Sequence, residues 1–126
     1  MKYLFLAYGD EKRLRELPIS ERDILMEACA TNDEALRESG RLLAVQGLQD
    51  SSTAITICVQ NGNVAISDGP FAETKEQLIG LFLIDARDLN EAIQVAATMP
   101  QVRGGPIEVR PLQDTSHYWP ATPVEY

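Results

Sequence analysis

The chain has 126 residues, 44% apolar and 24% charged, and its 19 acidic against 11 basic side chains give a formal net charge of −8. That is the size and composition of one globular domain able to bury a core without staples. The acidic balance argues against a nucleic-acid phosphate backbone or an anionic membrane as partner, because both need clustered cations.

No window approaches the ~20 apolar residues of a bilayer span. Met1-Lys2 leads directly into a strand-like segment with no signal-peptide core, so a cytoplasmic location is expected. Cys29 and Cys58 lie in separate apolar segments and are expected to be buried, reduced thiols. With a single histidine and no paired cysteines, neither a metal site nor a cofactor is expected.

Tyr3-Leu4-Phe5-Leu6-Ala7-Tyr8 is apolar on both alternating faces and predicts an interior strand. Gly9-Asp10 ends it, and residues 11–18 read as a charged connector. Ser20 has the character of an N-cap, with Glu21 and Asp23 in the first turn, where negative charge suits the helix dipole. Ile24, Leu25, Ala28, Asn32, Ala35 and Leu36 then recur at 3- to 4-residue spacing and predict a helix ending at Ser39-Gly40. Residues 42–47 resume extended structure.

Residues 53–59 alternate, with Ile55, Ile57 and Val59 on one face, and Val64-Ala65-Ile66 follows Asn61-Gly62. Asn-Gly between two such runs predicts a hairpin, since both turn positions need positive φ. A loop at Asp68-Gly69-Pro70-Phe71 precedes the most hydrophobic strand, residues 78–84. Asp88 is placed to cap a second helix with Glu91 completing a box-like start. Leu89, Ala92, Ile93, Ala96 and Ala97 are its expected buried stripe, and Pro100 stops it. Arg103-Gly104-Gly105-Pro106 is a turn into a last strand, residues 107–110. Residues 1–112 read as the single domain and 113–126 as a proline-rich tail.

The order is β-α-β, a hairpin, then β-α-β. Without the hairpin it is a ferredoxin-like βαββαβ arrangement, an α+β fold with two helices on one face of an antiparallel sheet. Two helices cover only one face, yet Leu4, Leu6, Leu81 and Leu83 make the other face apolar as well. A second copy packed sheet to sheet is the expected cover, since contiguous exposed apolar patches are rare on monomers.

The chemistry-bearing residues cluster after the hairpin. Asp68 sits at a strand end before a rigid Gly69-Pro70 turn and is the candidate catalytic carboxylate; alternatively its oxygens satisfy the turn amides as an Asx-turn. Glu73 and Lys75 are candidates for holding a substrate anion, or form a solvated loop. Phe71 could stack on a ligand or pin its own loop to the core. Gly69 and Pro70 would shape the cleft, and Tyr8 or Glu27 could carry a proton. A small molecule of unspecified chemistry is the expected ligand. Cys29, mid-helix with no adjacent cation, reads as a half-buried residue rather than a nucleophile.

The run Asp-Gly-Pro-Phe-Ala-Glu-Thr-Lys-Glu-Gln-Leu at 68–78, the strand from Gly80 to Asp85, and Arg103-Gly104-Gly105 before Ile107-Glu108-Val109-Arg110-Pro111 resemble the YCII-related domain family and its DGPF-motif members. The resemblance implies bacterial origin and a dimeric α/β barrel built from this fold. It also implies either a small-molecule site with weak acid–base chemistry or a non-catalytic regulatory module linked to sigma-factor-type transcription control. The family's first-helix histidine, read with an aspartate as an acid–base pair, has no counterpart here: Glu27, Cys29 and Asn32 occupy that stretch, and His117 lies in the tail.

Overall fold

The computed structural model describes residues 1–114, 117 and 118. Strand β1 (Lys2–Gly9) is the pivot of the sheet: it pairs antiparallel with β5 (Gln77–Asp85) on one side and β6 (Ile107–Pro111) on the other. Strand β2 (Leu42–Gly47) pairs with the far side of β5, giving the order β2-β5-β1-β6. Both neighbours of the two central strands are antiparallel, and the two β-α-β halves interleave as in the ferredoxin-like βαββαβ fold expected from the sequence. This is the subunit fold of the dimeric α/β barrel type.

Strands β3 (Ile55–Gln60) and β4 (Asn63–Asp68) form a separate two-stranded sheet. Asn61 (φ 52°) and Gly62 (φ 80°) close it, both in the left-handed region as the Asn-Gly turn demands.

Helices α2 (Ile19–Glu38) and α3 (Leu89–Thr98) cover one sheet face. The core beneath them is built from Tyr3, Phe5, Phe82, Ile84 and Leu42 on the strands, with Ala92, Val95, Ala96 and Met99 from the α3 segment. Tyr3, Phe5, Ile84 and Met99 are fully buried, and each such side chain stabilises the fold by about 2 kcal/mol relative to exposure. The alternate residues Leu4, Leu6, Leu81 and Leu83 face away from the helices and stay half-buried.

Several local expectations change. The charged connector contains a short helix, α1 (Glu11–Glu16), because the Asp10 carboxylate accepts a hydrogen bond from the Arg13 amide at 3.2 Å and caps it. Helix α2 starts at Ile19 behind Pro18, so Ser20 is a helical residue rather than the cap. Of its predicted stripe Leu25, Ala28, Asn32 and Leu36 are only half-buried, and Ile24 and Ala35 are exposed. In α3 the buried line is Ala92, Val95, Ala96 and then Met99, while Leu89, Ile93 and Ala97 are exposed. Small residues let this helix sit close to the sheet, which turns its larger side chains outward. Cys58 is exposed on the hairpin rather than buried. Most of the predicted tail, 113–126, lies outside the described residues.

At the α3 N-terminus Asp88 accepts from the Glu91 amide at 2.9 Å, as predicted. The Glu91 carboxylate turns away from a reciprocal capping bond and is shared by Arg87 and by Arg41, the latter at 3.3 Å. Hydrogen bonds from Arg87, then its charge and a bond from Arg41, hold this carboxyl below its ordinary value of 4.5, against the opposing effect of its burial. A folded-state value below the unfolded one gives stability that is present above pH 4.5 and lost as pH falls through the lowered folded value. Glu91→Gln is therefore expected to melt lower than the parent at pH 7 and to close the gap below pH 4.5. Parallel melting curves over that range would contradict the pairing.

Candidate functional site

The loop between β4 and β5 is fixed at both ends. At its start, the Gly69 amide donates to the Ala54 carbonyl at 2.8 Å, and Thr56 Oγ1 donates to the Gly69 carbonyl at 2.8 Å. Gly69 itself has φ 99°, which only glycine adopts without strain. At its end, the Gln77 side-chain amide donates to the carbonyls of Ala72 and Thr74 at 3.0 and 3.1 Å. The segment between is thereby held as a rigid rim.

Opposite this rim stands α1, which is itself tied to the 3₁₀ turn Ser51–Thr53. The Glu11 carboxylate accepts from the Ser51 amide at 2.8 Å and from the Ser51 hydroxyl. Arg15 pairs with Asp50, whose carboxyl is also held below its ordinary range by hydrogen bonds from Ser52. Between α1, the turn and the loop lies a cleft of about 390 Å³.

Four of the predicted ligand residues, Gly69, Pro70, Glu73 and Lys75, line this cleft. Lys12 and Arg15 come to it from α1, and Ser51 and Ser52 from the turn, none of which the sequence reading singled out. The available signal was Asp10 as a helix cap, which marks the start of α1 but not its place beside the loop. Among the described residues the Lys12 and Lys75 ammonium groups form no ion pair, while Arg15 is engaged by Asp50. The cleft thus offers two lysines beside the carboxylates of Asp10, Glu11 and Glu73 and the Ser52 hydroxyl, a mixed set suited to a small oxygen-rich molecule.

Asp68, Tyr8 and Phe71 do not line it. Asp68 is exposed at the end of β4, paired across the hairpin with Ile55, and its carboxylate accepts no hydrogen bond from the turn amides, so the Asx-turn alternative does not hold. Tyr8 is half-buried opposite Leu78 on the sheet face away from the helices. Phe71 is 91% exposed and does not pin its loop to the core. Glu27 is exposed on α2. Cys29 is half-buried, and burial followed by the Asp33 carboxylate pushes its thiol up, as expected of an unreactive cysteine.

Fold and cleft together define an α+β domain of ferredoxin-like arrangement with a polar recess beside its sheet. The chain belongs to the YCII-related domain family, which it matches over residues 1–116. It is similar to an uncharacterised protein, R00369, of Rhizobium meliloti (strain 1021), at 36% identity over 114 residues covering 89% of this chain and 92% of the relative. Among solved structures it is similar to 5-chloro-2-hydroxyhydroquinone dehydrochlorinase (TftG) of Burkholderia phenoliruptrix AC1100, determined in complex with 2,5-dihydroxybenzoquinone. That likeness has a TM-score of 0.55 at 12% identity, covering 93% of this chain and 98% of the other, and it concerns the fold alone. Among the described residues no helix is long and apolar enough to cross a membrane, and no group of histidine, cysteine and carboxylate side chains could hold a metal ion.

The loop geometry sets one expectation. No atom lies within 4 Å of where a Gly69 Cβ would sit, so Gly69→Ala meets only the conformational cost of φ 99°, about 1–2 kcal/mol. Thermal melting should fall by several degrees, as expected for a domain of this size. An unchanged melting temperature would show that the turn adopts another conformation.

Proposed function

We propose that this protein is a homodimeric, small-molecule-binding YCII-related domain whose ligand occupies the cleft beside the Asp68-Gly69-Pro70-Phe71 loop. The observation that carries the reading is the convergence on one recess of Lys12 and Lys75, which among the described residues form no ion pair, with Arg15 and the carboxylates Asp10, Glu11 and Glu73. Cations and carboxylates side by side make a mixed polar lining that favours an oxygen-rich ligand able to both donate and accept hydrogen bonds. The dehydrochlorinase of like fold holds a dihydroxybenzoquinone, and a small oxygenated ring of that kind is compatible with a volume of about 390 Å³.

Asp68, the candidate acid–base residue, stands at the root of the cleft-forming loop but does not line the cleft. With no histidine on α2 and, among the described residues, no hydrogen bond to the Asp68 carboxylate, binding without turnover is the second reading, that of a regulatory module. The half-buried Leu4, Leu6, Leu81 and Leu83 supply the basis for the homodimer, because the helices cover only the opposite face.

A thermal-shift screen of anionic and quinone-like metabolites against the parent protein, Lys75→Ala and Asp68→Asn tests the cleft. A ligand at 100 times its dissociation constant adds about 2.7 kcal/mol to the folded state. Stabilisation of the parent that is lost in Lys75→Ala is expected, with Asp68→Asn as stable as the parent and still binding. A ligand that stabilises the parent and Lys75→Ala equally would move the site elsewhere. For the dimer, sedimentation equilibrium should give twice the 14.0 kDa chain mass, and a 14.0 kDa species at micromolar concentration would remove it.

A further inference from the structure

The β3–β4 hairpin carries an anomaly that neither the cleft nor the sheet explains. Ile55, Ile57 and Val59 on β3 share one face with Val64 and Ile66 on β4, in the direct cross-strand pairs Ile57–Ile66 and Val59–Val64. All five are between 63 and 70% exposed. Among the described residues no hydrogen bond joins either strand to the four-stranded sheet, and the hairpin is fastened only at its root. An isolated two-stranded hairpin is marginal in water even when well paired. Both of its edges are also open to further pairing, a condition that proteins manage by covering them.

Composition narrows what covers it. Residues 51–67 contain no Asp, Glu, Lys or Arg, in a chain that is 24% charged with net charge −8. A nucleic acid, an anionic membrane or a charged protein partner would be selected through charge, and this arm presents none. Two like-charged copies repel one another over most of their surface, and an uncharged arm is where they approach at least electrostatic cost. The arm also leaves the body at the open β2–β5 end of the sheet, where the Leu48 amide donates to the Ile79 carbonyl at 2.9 Å. It is therefore continuous with the central strand that carries Leu81 and Leu83 on the uncovered face.

We propose that the β3–β4 hairpin is an arm whose Ile55–Ile57–Val59–Val64–Ile66 face packs on a second copy of this chain. The inference extends, and rests on, the sheet-face dimer proposed above. Two-fold symmetry makes the contact reciprocal: each copy gives an arm and receives one. Because the same hairpin ends in Asp68 and Gly69, the arm's seating would also hold the root of the cleft loop.

Sedimentation equilibrium on the parent, Ile57→Lys, Gln60→Lys and Leu83→Lys tests this. Ile57→Lys puts a charge on the arm's apolar face, whereas Gln60→Lys adds the same charge to its other face near the tip. Ile57→Lys is expected to raise the dimer dissociation constant at least ~100-fold, with circular dichroism of the body retained and Gln60→Lys within threefold of the parent. An Ile57→Lys protein that dimerises like the parent while Leu83→Lys dissociates would overturn the arm and leave the sheet-face dimer standing. A monomeric parent would overturn both. A second measurement places the probe on the apolar face itself: in a Cys29→Ser, Cys58→Ser background, benzophenone attached to the thiol of Val64→Cys should photocrosslink one copy to another. Exclusively intramolecular products would count against the arm.

Discussion

Two helices can shield only one face of a four-stranded sheet, and here the two central strands are apolar on both. That constraint organises the molecule. Tyr3, Phe5, Phe82 and Ile84 go under the helices with the small residues of α3, and the rest of the core is arranged around them. Leu4, Leu6, Leu81 and Leu83 are the necessary counterpart on the other side, because a β-strand sends alternate side chains to opposite faces. Losing the second apolar face would require polar residues in place of Leu4, Leu6, Leu81 and Leu83; on that face the charged residues, Lys2 and Asp85, stand only at the strand ends. The strands that make the core therefore also leave an apolar sheet face that the helices do not cover.

The cleft depends on the same framework at one remove. Its walls are a short helix, a 3₁₀ turn and a loop, none of which packs deeply, so hydrogen bonds and one ion pair do the positioning. Glu11 fastens helix to turn through Ser51, Arg15 reaches Asp50, and Gln77 at the start of β5 ties down the loop. The recess that results is lined by cations and carboxylates alike, and its loop wall begins at the root of the β3–β4 hairpin.

Much of the fold was legible because its signals are local. Alternation over 3–8, 55–59 and 78–84 fixed strands whose bounds shifted by a residue or two. Asn61-Gly62 could hardly be anything but a hairpin turn, and Asp88 caps α3 as its spacing implies. Helix α1 was missed because Glu11–Glu16 has a single apolar residue, Leu14, and no period to read. The face of α3 was misjudged because size, not hydrophobicity, chose between Ala92, Val95 and Ala96 on one side and Leu89 and Ile93 on the other. Of the residues expected at a site, Gly69, Pro70, Glu73 and Lys75 line one cleft because they lie close together on a single loop of the chain. Lys12 and Ser51 were not expected there, since only tertiary structure brings them near. The exposure of Phe71 and Cys58 was misread for a related reason: whether a loop aromatic or a strand thiol is covered depends on what packs there, which no local pattern encodes.

Amide hydrogen exchange, resolved by segment and followed from nanomolar to high micromolar protein, tests most directly whether a second copy covers the arm and the open sheet face. The expected result is that β3 and β4 exchange near unprotected rates when dilute and become protected together as concentration rises, while β1 and β5 are protected throughout by the helix-covered core. Arm amides that exchange at the same fast rate at every concentration would contradict the covering of this surface by another copy of the chain.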